Sequence, residues 1–312
     1  MSLALSWCTC MDYELYHDES MVRGYWHGML LVPIPCKAQV LELLSQARRE
    51  AGYFDPLSLK KVRHRGRLHD CTEAWIQVGV AALRSHTKGE PCQVFTGGRH
   101  AGGRKRYAVL CEPVGAKFIV FCERDSLARM SMHPDHGSKV ETTFRMGLKG
   151  GLHFLGGPHE TIHIERIHFD GHQHYHRHVD PTRIVGRLYG LRPYCSISSR
   201  PDLIDDRTSD HRASDCQHYD DCQLLQLTDL LIGCFRTALQ PATNPLRWHL
   251  AYPVRQLVSR YAGGYARMRN SRWFGSFCMS ECHLDSGFWT FETLAADEHS
   301  GVVQLELPLS DQ

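Results

Sequence analysis

Hydrophobic and polar positions divide the chain into strand-like and helix-like segments. Residues 12 to 18 and the run YWHGMLLVP (25–33) read as two strands joined by a short connection containing Gly24, which predicts a hairpin. In CKAQVLELLSQARREAG, Val40, Leu43, Leu44 and Ala47 recur at helical spacing, and Gly52 stands where a helix would stop. LSLKKVRHRG reads as a further strand, and DCTEAWIQVGVAALRSH as a helix with Asp70 as N-cap and Glu73 completing a capping box. From Thr87 to Arg106 a Gly-rich, basic run without periodicity predicts an exposed loop that interrupts the core.

The second half repeats the alternation. AKFIVFCE (116–123) suits a buried strand, and GSKVETTFRMGLKGGLHFL a helix weakened by Gly147, Gly150 and Gly151. ETIHIERIHFDG (160–171) is strand-like and ends in Asp170 before a glycine. A short helix around PTRIVGRLYG, a strand YCSISS and a polar loop, RPDLIDDRTSDHRASDCQHYDD, lead to the apolar helix CQLLQLTDLLIGCFRTAL, which carries Asp229 in its middle. A further helical pattern runs from Pro245 to Gly264. The expected fold class is α/β, a mixed sheet flanked by helices with loop insertions. The core would span 1–240 with its basic insertion near 87–106, and 241–312 would be a helical C-terminal extension packed on it.

Three acidic residues break this pattern in a shared way. Asp18, with Glu19 and Ser20 after it, closes the first strand; Asp170 closes a later one; Asp229 interrupts an apolar helix. Adjacent carboxylates are poor strand formers and repel each other, so they either run into solvent or hold a cation. In open α/β sheets ligands collect beyond strand ends, where two strand-terminal carboxylates and one from a covering helix can meet. Gln226 and Gly233 put a polar, small-residue stripe beside Asp229 on a helix otherwise made of leucines, which would leave room for an ion. Hard cations such as Mg²⁺ or Mn²⁺ favour such oxygen ligands, and clustered aspartates can support in-line phosphoryl transfer.

The residues YHDES, the strand GMLLVP, the strand end IHFD and the helix LLQLTDLLIGC together resemble the domain-of-unknown-function 3800 family, in outline over about residues 12 to 238. In this chain Met21 follows the Asp-Glu-Ser where members commonly have glycine, and Thr228 precedes the helical aspartate where alanine is frequent. The resemblance implies an RNase H-like sheet and a metal-holding cluster of Asp18, Glu19, Asp170 and Asp229, with Asp221 or its neighbour Asp220 as a further ligand. Ser20 and Gln226 would orient the cluster. His172 or His168, flanking Asp170, would touch the metal-bound water or the scissile phosphate.

Composition changes this picture little. Lys+Arg at 36 against Asp+Glu at 34 leaves a net charge of +2, so nucleic-acid affinity must come from local patches. KKVRHRGR (60–67) and RHAGGRKR (99–106) are the dense basic runs, with RMRNSRW near 270 weaker. Thirteen scattered cysteines read as reduced thiols. Cys8 and Cys10, and Cys278 and Cys282 with His283, lack the matching pair that a zinc site needs. The alternate histidines from His172 to His178 read as a solvated face more readily than as a metal site. With no signal-peptide pattern and no apolar run of membrane-spanning length, a cytoplasmic protein is expected. Walker, dinucleotide-binding and G-x-S-x-G motifs are absent. The leading expectation is a Mg²⁺- or Mn²⁺-dependent nuclease acting on RNA or DNA; the second is a non-catalytic nucleic-acid- or protein-binding module of the same fold.

Overall fold

A computed structural model describes residues 11–22, 24–86, 89–123, 136–155, 162–170, 195–206, 218–240, 244–262, 275–285 and 288–293. Strands β1 (Met11–Ser20) and β2 (Tyr25–Pro33) form the expected antiparallel hairpin. Helices α1 (Lys37–Ala51) and α2 (Arg67–Ala82) follow, then a two-stranded ribbon of β3 (Cys92–Arg99) and β4 (Lys105–Leu110). Next come β5 (Lys117–Glu123), α3 (His136–Leu155), β6 (Ile162–Asp170), β7 (Cys195–Asp206) and α4 (Tyr219–Leu239). Helices α5 (Pro245–Leu250) and α6 (Tyr252–Ala262) and strands β8 (Phe277–Asp285) and β9 (Phe288–Thr293) complete the described elements.

The main sheet has seven strands in the order β7-β6-β1-β2-β5-β8-β9. Strands β5, β2 and β1 are successively antiparallel, and β6 and β7 run parallel to β1. These five strands form the expected mixed sheet, in the α/β arrangement of an RNase H-like fold that the family resemblance implies.

Strand alternation divides the core in two. Tyr13 and Leu15 of β1, with Met29 and Leu31 of β2, pack against Phe144, Leu148 and Leu152 of α3. Tyr16, Trp26 and Leu30 point the other way, into a core shared with α4, α1, α2 and α6. The glycines expected to weaken α3 bring it close to the sheet: a Cβ at Gly151 would lie 2.4 Å from Ile119, and one at Gly147 2.8 Å from Phe121. Gly151→Val should therefore destabilise the protein by about 1–3 kcal/mol despite valine's better helix propensity, a difference measurable by urea unfolding.

Several segments differ from expectation. LSLKKVRHRG contains only a short 3₁₀ turn at Leu59–Lys61, because Leu59 and Val62 anchor it to the core while its charged residues face solvent. Helix α2 begins at Arg67, with Gly66 at its N-cap; Asp70 lies in its first turn, paired with Arg99, so the capping box does not form. The expected basic loop is largely the β3–β4 ribbon, whose Gly97 approaches α1 so closely that a Cβ would sit 2.7 Å from the Ala47 carbonyl oxygen. Strand β7 extends to Asp206, into the segment read as a polar loop.

The chain beyond 240 is not only helical. Strand β8 adds parallel to β5 and β9 pairs with β8, so this segment extends the main sheet. The helix expected around PTRIVGRLYG lies outside the described residues, as do Cys8, Cys10, the histidines from 172 to 178 and the basic run near 270. Among the described residues, no helix is long and apolar enough to cross a membrane.

Candidate metal centre

The end of β1 places Asp18 on the sheet face toward α4, because it shares parity with Tyr16. Its neighbour across the hairpin is Gly28. A Cβ at Gly28 would lie 3.0 Å from that of Ile232, so α4 rests almost directly on the strand here. Three residues before Ile232 on the same helical face is Asp229, which is thereby lowered toward Asp18. On the other side, β6 runs parallel to β1 with Tyr16 opposite His168 and His17 opposite Phe169, which brings Asp170 level with Asp18.

Asp18 and Asp170 are buried, and Asp229 keeps partial solvent access. Burial, then the charges of Asp229 and Asp170, push the Asp18 carboxyl well above the ordinary range. Burial also raises Asp229, opposed by Lys60, a hydrogen bond from Ser58, Arg236 and a hydrogen bond from Asp18. Burial and mutual repulsion thus make these carboxyls hold protons more readily than ordinary aspartates do, Asp18 most of all.

Glu19 belongs elsewhere. The strand's period of two turns its side chain to the α3 face, where it accepts a hydrogen bond from the Tyr25 hydroxyl. Nearby on this face, His17 Nε2 and His27 Nδ1 lie 2.9 Å apart, both fully buried. Ser20 does join the carboxylate side, accepting a hydrogen bond from Arg236.

Asp221 also stands apart from Asp229. Eight residues of helix separate them by about 12 Å. It joins Glu14 and His168 in a buried group whose ligand atoms lie within 4.8 Å of one another and can hold a metal ion. Lys37 Nζ lies 2.6 Å from both Glu14 and Asp221, and the Tyr16 hydroxyl lies 2.6 and 2.8 Å from the same two carboxylates, with its single proton to donate between them. The lysine ammonium therefore supplies internally the positive charge that a cation would bring. Asp220, the alternative to Asp221, is exposed.

Gln226 and Gly233 seat a loop. Gln226 Oε1 accepts from the Leu57 amide at 2.9 Å and from Arg48 at 3.0 Å, while Arg48 also donates to Gln223 and to the Asp55 carbonyl. Gly233 makes room for Leu59, whose side chain would be 3.2 Å from an added Cβ. Together they seat residues 53–60 on α4 and deliver Ser58 and Lys60 to Asp229.

Ser58 and Arg236 were not among the residues the sequence pointed to, and Lys60 stood out only as the start of a basic run. Arg236 had a signal, since it lies seven residues after Asp229 on the same helical face. Arg247 approaches both, donating to the Lys60 carbonyl and opposing the charge on Arg236. Three acids are thus bordered by three cations. His172 lies outside the described residues, and His168 sits in the Glu14 group, stacked on Tyr16 with centroids 4.5 Å apart.

Cys278 and Cys282 are buried thiols on β8. Four residues along a strand separate them by about 13 Å, too far to share one zinc ion. No family model matches the chain, and comparison with curated proteins and with solved structures likewise gives no match.

Proposed function

We propose that this protein is a divalent-metal-dependent nuclease whose centre is Asp18, Asp170 and Asp229. The carrying observation is that three carboxylates, distant in sequence, meet at the end of β1, where burial and the charges of Asp229 and Asp170 raise the proton affinity of Asp18. Keeping such mutually repelling groups together in a half-closed site has an evident use if a cation neutralises them. The donor set, three hard carboxylate oxygens, fits Mg²⁺ or Mn²⁺. A bound ion would supply electrostatic stabilisation of a phosphodiester transition state and a more acidic water.

The protein's own residues do the rest. Asp18, Asp170 and Asp229 would hold the ion, while Ser58 hydrogen-bonds to Asp229 and orients its carboxylate. Lys60 and Arg236 offer positive charge to the phosphate being cleaved, and the Ser20 hydroxyl holds the Arg236 guanidinium in place. The resemblance to the domain-of-unknown-function 3800 family supports the same three aspartates, and a cytoplasmic location accords with this role.

The direct test is cleavage of labelled RNA and DNA oligonucleotides with Mn²⁺ or Mg²⁺. The parent should cleave at least one of them, and EDTA should abolish the reaction. Absence of cleavage with either ion on every substrate would refute the proposal.

The raised proton affinity of Asp18 gives a pH prediction, since the ion competes with a proton held there. Ion binding must displace it, so Mn²⁺ affinity should rise with pH, by up to about tenfold per unit while Asp18 remains protonated. Calorimetric titrations at several pH values would show this, with protons released on binding. Affinity independent of pH from 5 to 8 would contradict it, on the order of three units being an ample window.

A further inference from the structure

Two basic runs far apart in sequence meet on the surface at the first turn of α2. Arg99 of the ribbon bonds both carboxylate oxygens of Asp70, at 2.9 and 3.2 Å, and thereby fixes the ribbon's turn beside Arg67. The C-terminal end of α1 reaches the same place, since a Cβ at Gly52 would lie 3.9 Å from Arg67. Three acidic groups at this turn are already engaged: Asp70 by Arg99, Glu73 by Lys105, and Glu50 by Thr96 at 2.5 Å.

Arg63, Arg65, Arg67, Arg104 and Arg106 are exposed, and none has a carboxylate partner among the described residues. Two large aromatic rings are exposed on the segments that converge here: Phe54, 61% exposed two residues after Gly52, and Tyr107, 51% exposed on the ribbon face that turns Lys105 to Glu73 of α2. Exposed rings among unpaired arginines suit a chain of phosphates whose bases are free to stack. A duplex would keep its bases from those rings.

The surface is continuous with the carboxylate centre. The segment running from Arg67 back through Arg63 to Lys60 ends where Lys60 and Ser58 act on Asp229. We infer that residues 54–67 and 99–107 form a track that binds a single strand of nucleic acid and leads it to Asp229. This inference rests on the nucleic-acid reading of the site and deepens it by naming single-stranded substrate.

The test is fluorescence anisotropy in EDTA, with a labelled single strand of about 20 nucleotides, as DNA and as RNA, and the matching duplexes. The parent should bind a single strand more tightly than its duplex. Replacing Arg63, Arg65 and Arg67 together by glutamine should weaken binding by about tenfold or more and lower the salt slope by about 2. Tyr107→Ala should lose about fivefold or more on single strands and little on duplexes. Lys149→Gln, an exposed change on α3 at the opposite face of the sheet, should match the parent.

Equal binding by the triple variant, a preference for duplex, or no binding by the parent would each overturn the inference. The nuclease reading fails separately. Arginine-dependent binding by a protein that never cleaves with Mn²⁺ would leave the track standing and remove the catalytic role. Mn²⁺-dependent cleavage with the triple variant binding like the parent would do the reverse.

Discussion

Asp18→Asn is expected to reduce Mn²⁺-dependent cleavage by on the order of 10³-fold while making the metal-free protein more stable. The loss follows from removing one ion-holding oxygen and the negative charge that attracts the cation, together several kcal/mol of transition-state stabilisation. The gain follows from the sign of the shift on Asp18. Its folded-state affinity for a proton is raised, so whatever it contributes to stability is present at low pH and lost as pH rises through the folded value. At neutral pH an uncharged asparagine removes both the burial cost and the repulsion from Asp229 and Asp170. A gain of about 1 kcal/mol would raise Tm by roughly 2–4 °C. Thermal melts with EDTA and cleavage assays on the same preparation check both halves; a variant less stable than the parent would contradict the electrostatic account.

Lys37→Met should produce the largest destabilisation, about 3–5 kcal/mol by urea unfolding. Lys37 reaches from α1 to Glu14 on β1 and Asp221 on α4, with only about a fifth of its side chain exposed. Removing it leaves two buried carboxylates facing each other beside the Tyr16 hydroxyl, without their counterion. Burial alone would raise the Glu14 carboxyl. The His168 imidazole 3.5 Å away, with hydrogen bonds from Lys37 and Tyr16, outweighs burial and holds it far below its ordinary value. Glu14 therefore contributes stability that is fully present above the unfolded carboxyl value of about 4.3 and lost as the medium becomes more acid. The variant should accordingly lose the part of the parent's acid sensitivity that arises below that value. Double substitution of Lys37→Met with Glu14→Gln should recover part of the loss, because it removes a stranded charge as well.

These two outcomes separate acidic groups that are adjacent in sequence but distinct in the fold. Asp18, Asp170 and Asp229 were legible because each sits where an apolar pattern is interrupted, and the parallel β1–β6 pairing with α4 laid across it brings them to one point. Asp221, a candidate only through the family resemblance, stands at the end of a polar run, and helical rise carries it to a different ion pair. Its partners Glu14 and Lys37 come from elements whose contact only the tertiary packing creates. Glu19 could have been assigned from the sequence: neighbouring strand residues face opposite sides, so it could not share a face with Asp18.

The segment from Tyr53 to Lys60 shows why other roles were hidden. Its periodicity is weak, since it is neither helix nor strand but a loop seated through Leu57, Leu59 and Arg48 on polar and small positions of α4. Gln226 and Gly233 were therefore visible as an unusual stripe while their purpose was not. The β3–β4 ribbon was similarly masked, because the glycines that suggest a loop are the ones that let it lie close against α1. The sheet itself was readable over β1, β2, β5 and β6, whereas β8 and β9 depend on a distant return to the β5 edge.

The central claim is that Asp18, Asp170 and Asp229, and not the Glu14 group, hold the divalent ion. The most direct measurement is calorimetric titration of Mn²⁺ into the parent, Asp229→Asn and Asp221→Asn, each shown to be folded by circular dichroism. The account predicts binding by the parent and by Asp221→Asn, and its loss in Asp229→Asn. Binding retained in Asp229→Asn and lost in Asp221→Asn would place the ion at Glu14, His168 and Asp221 and contradict it.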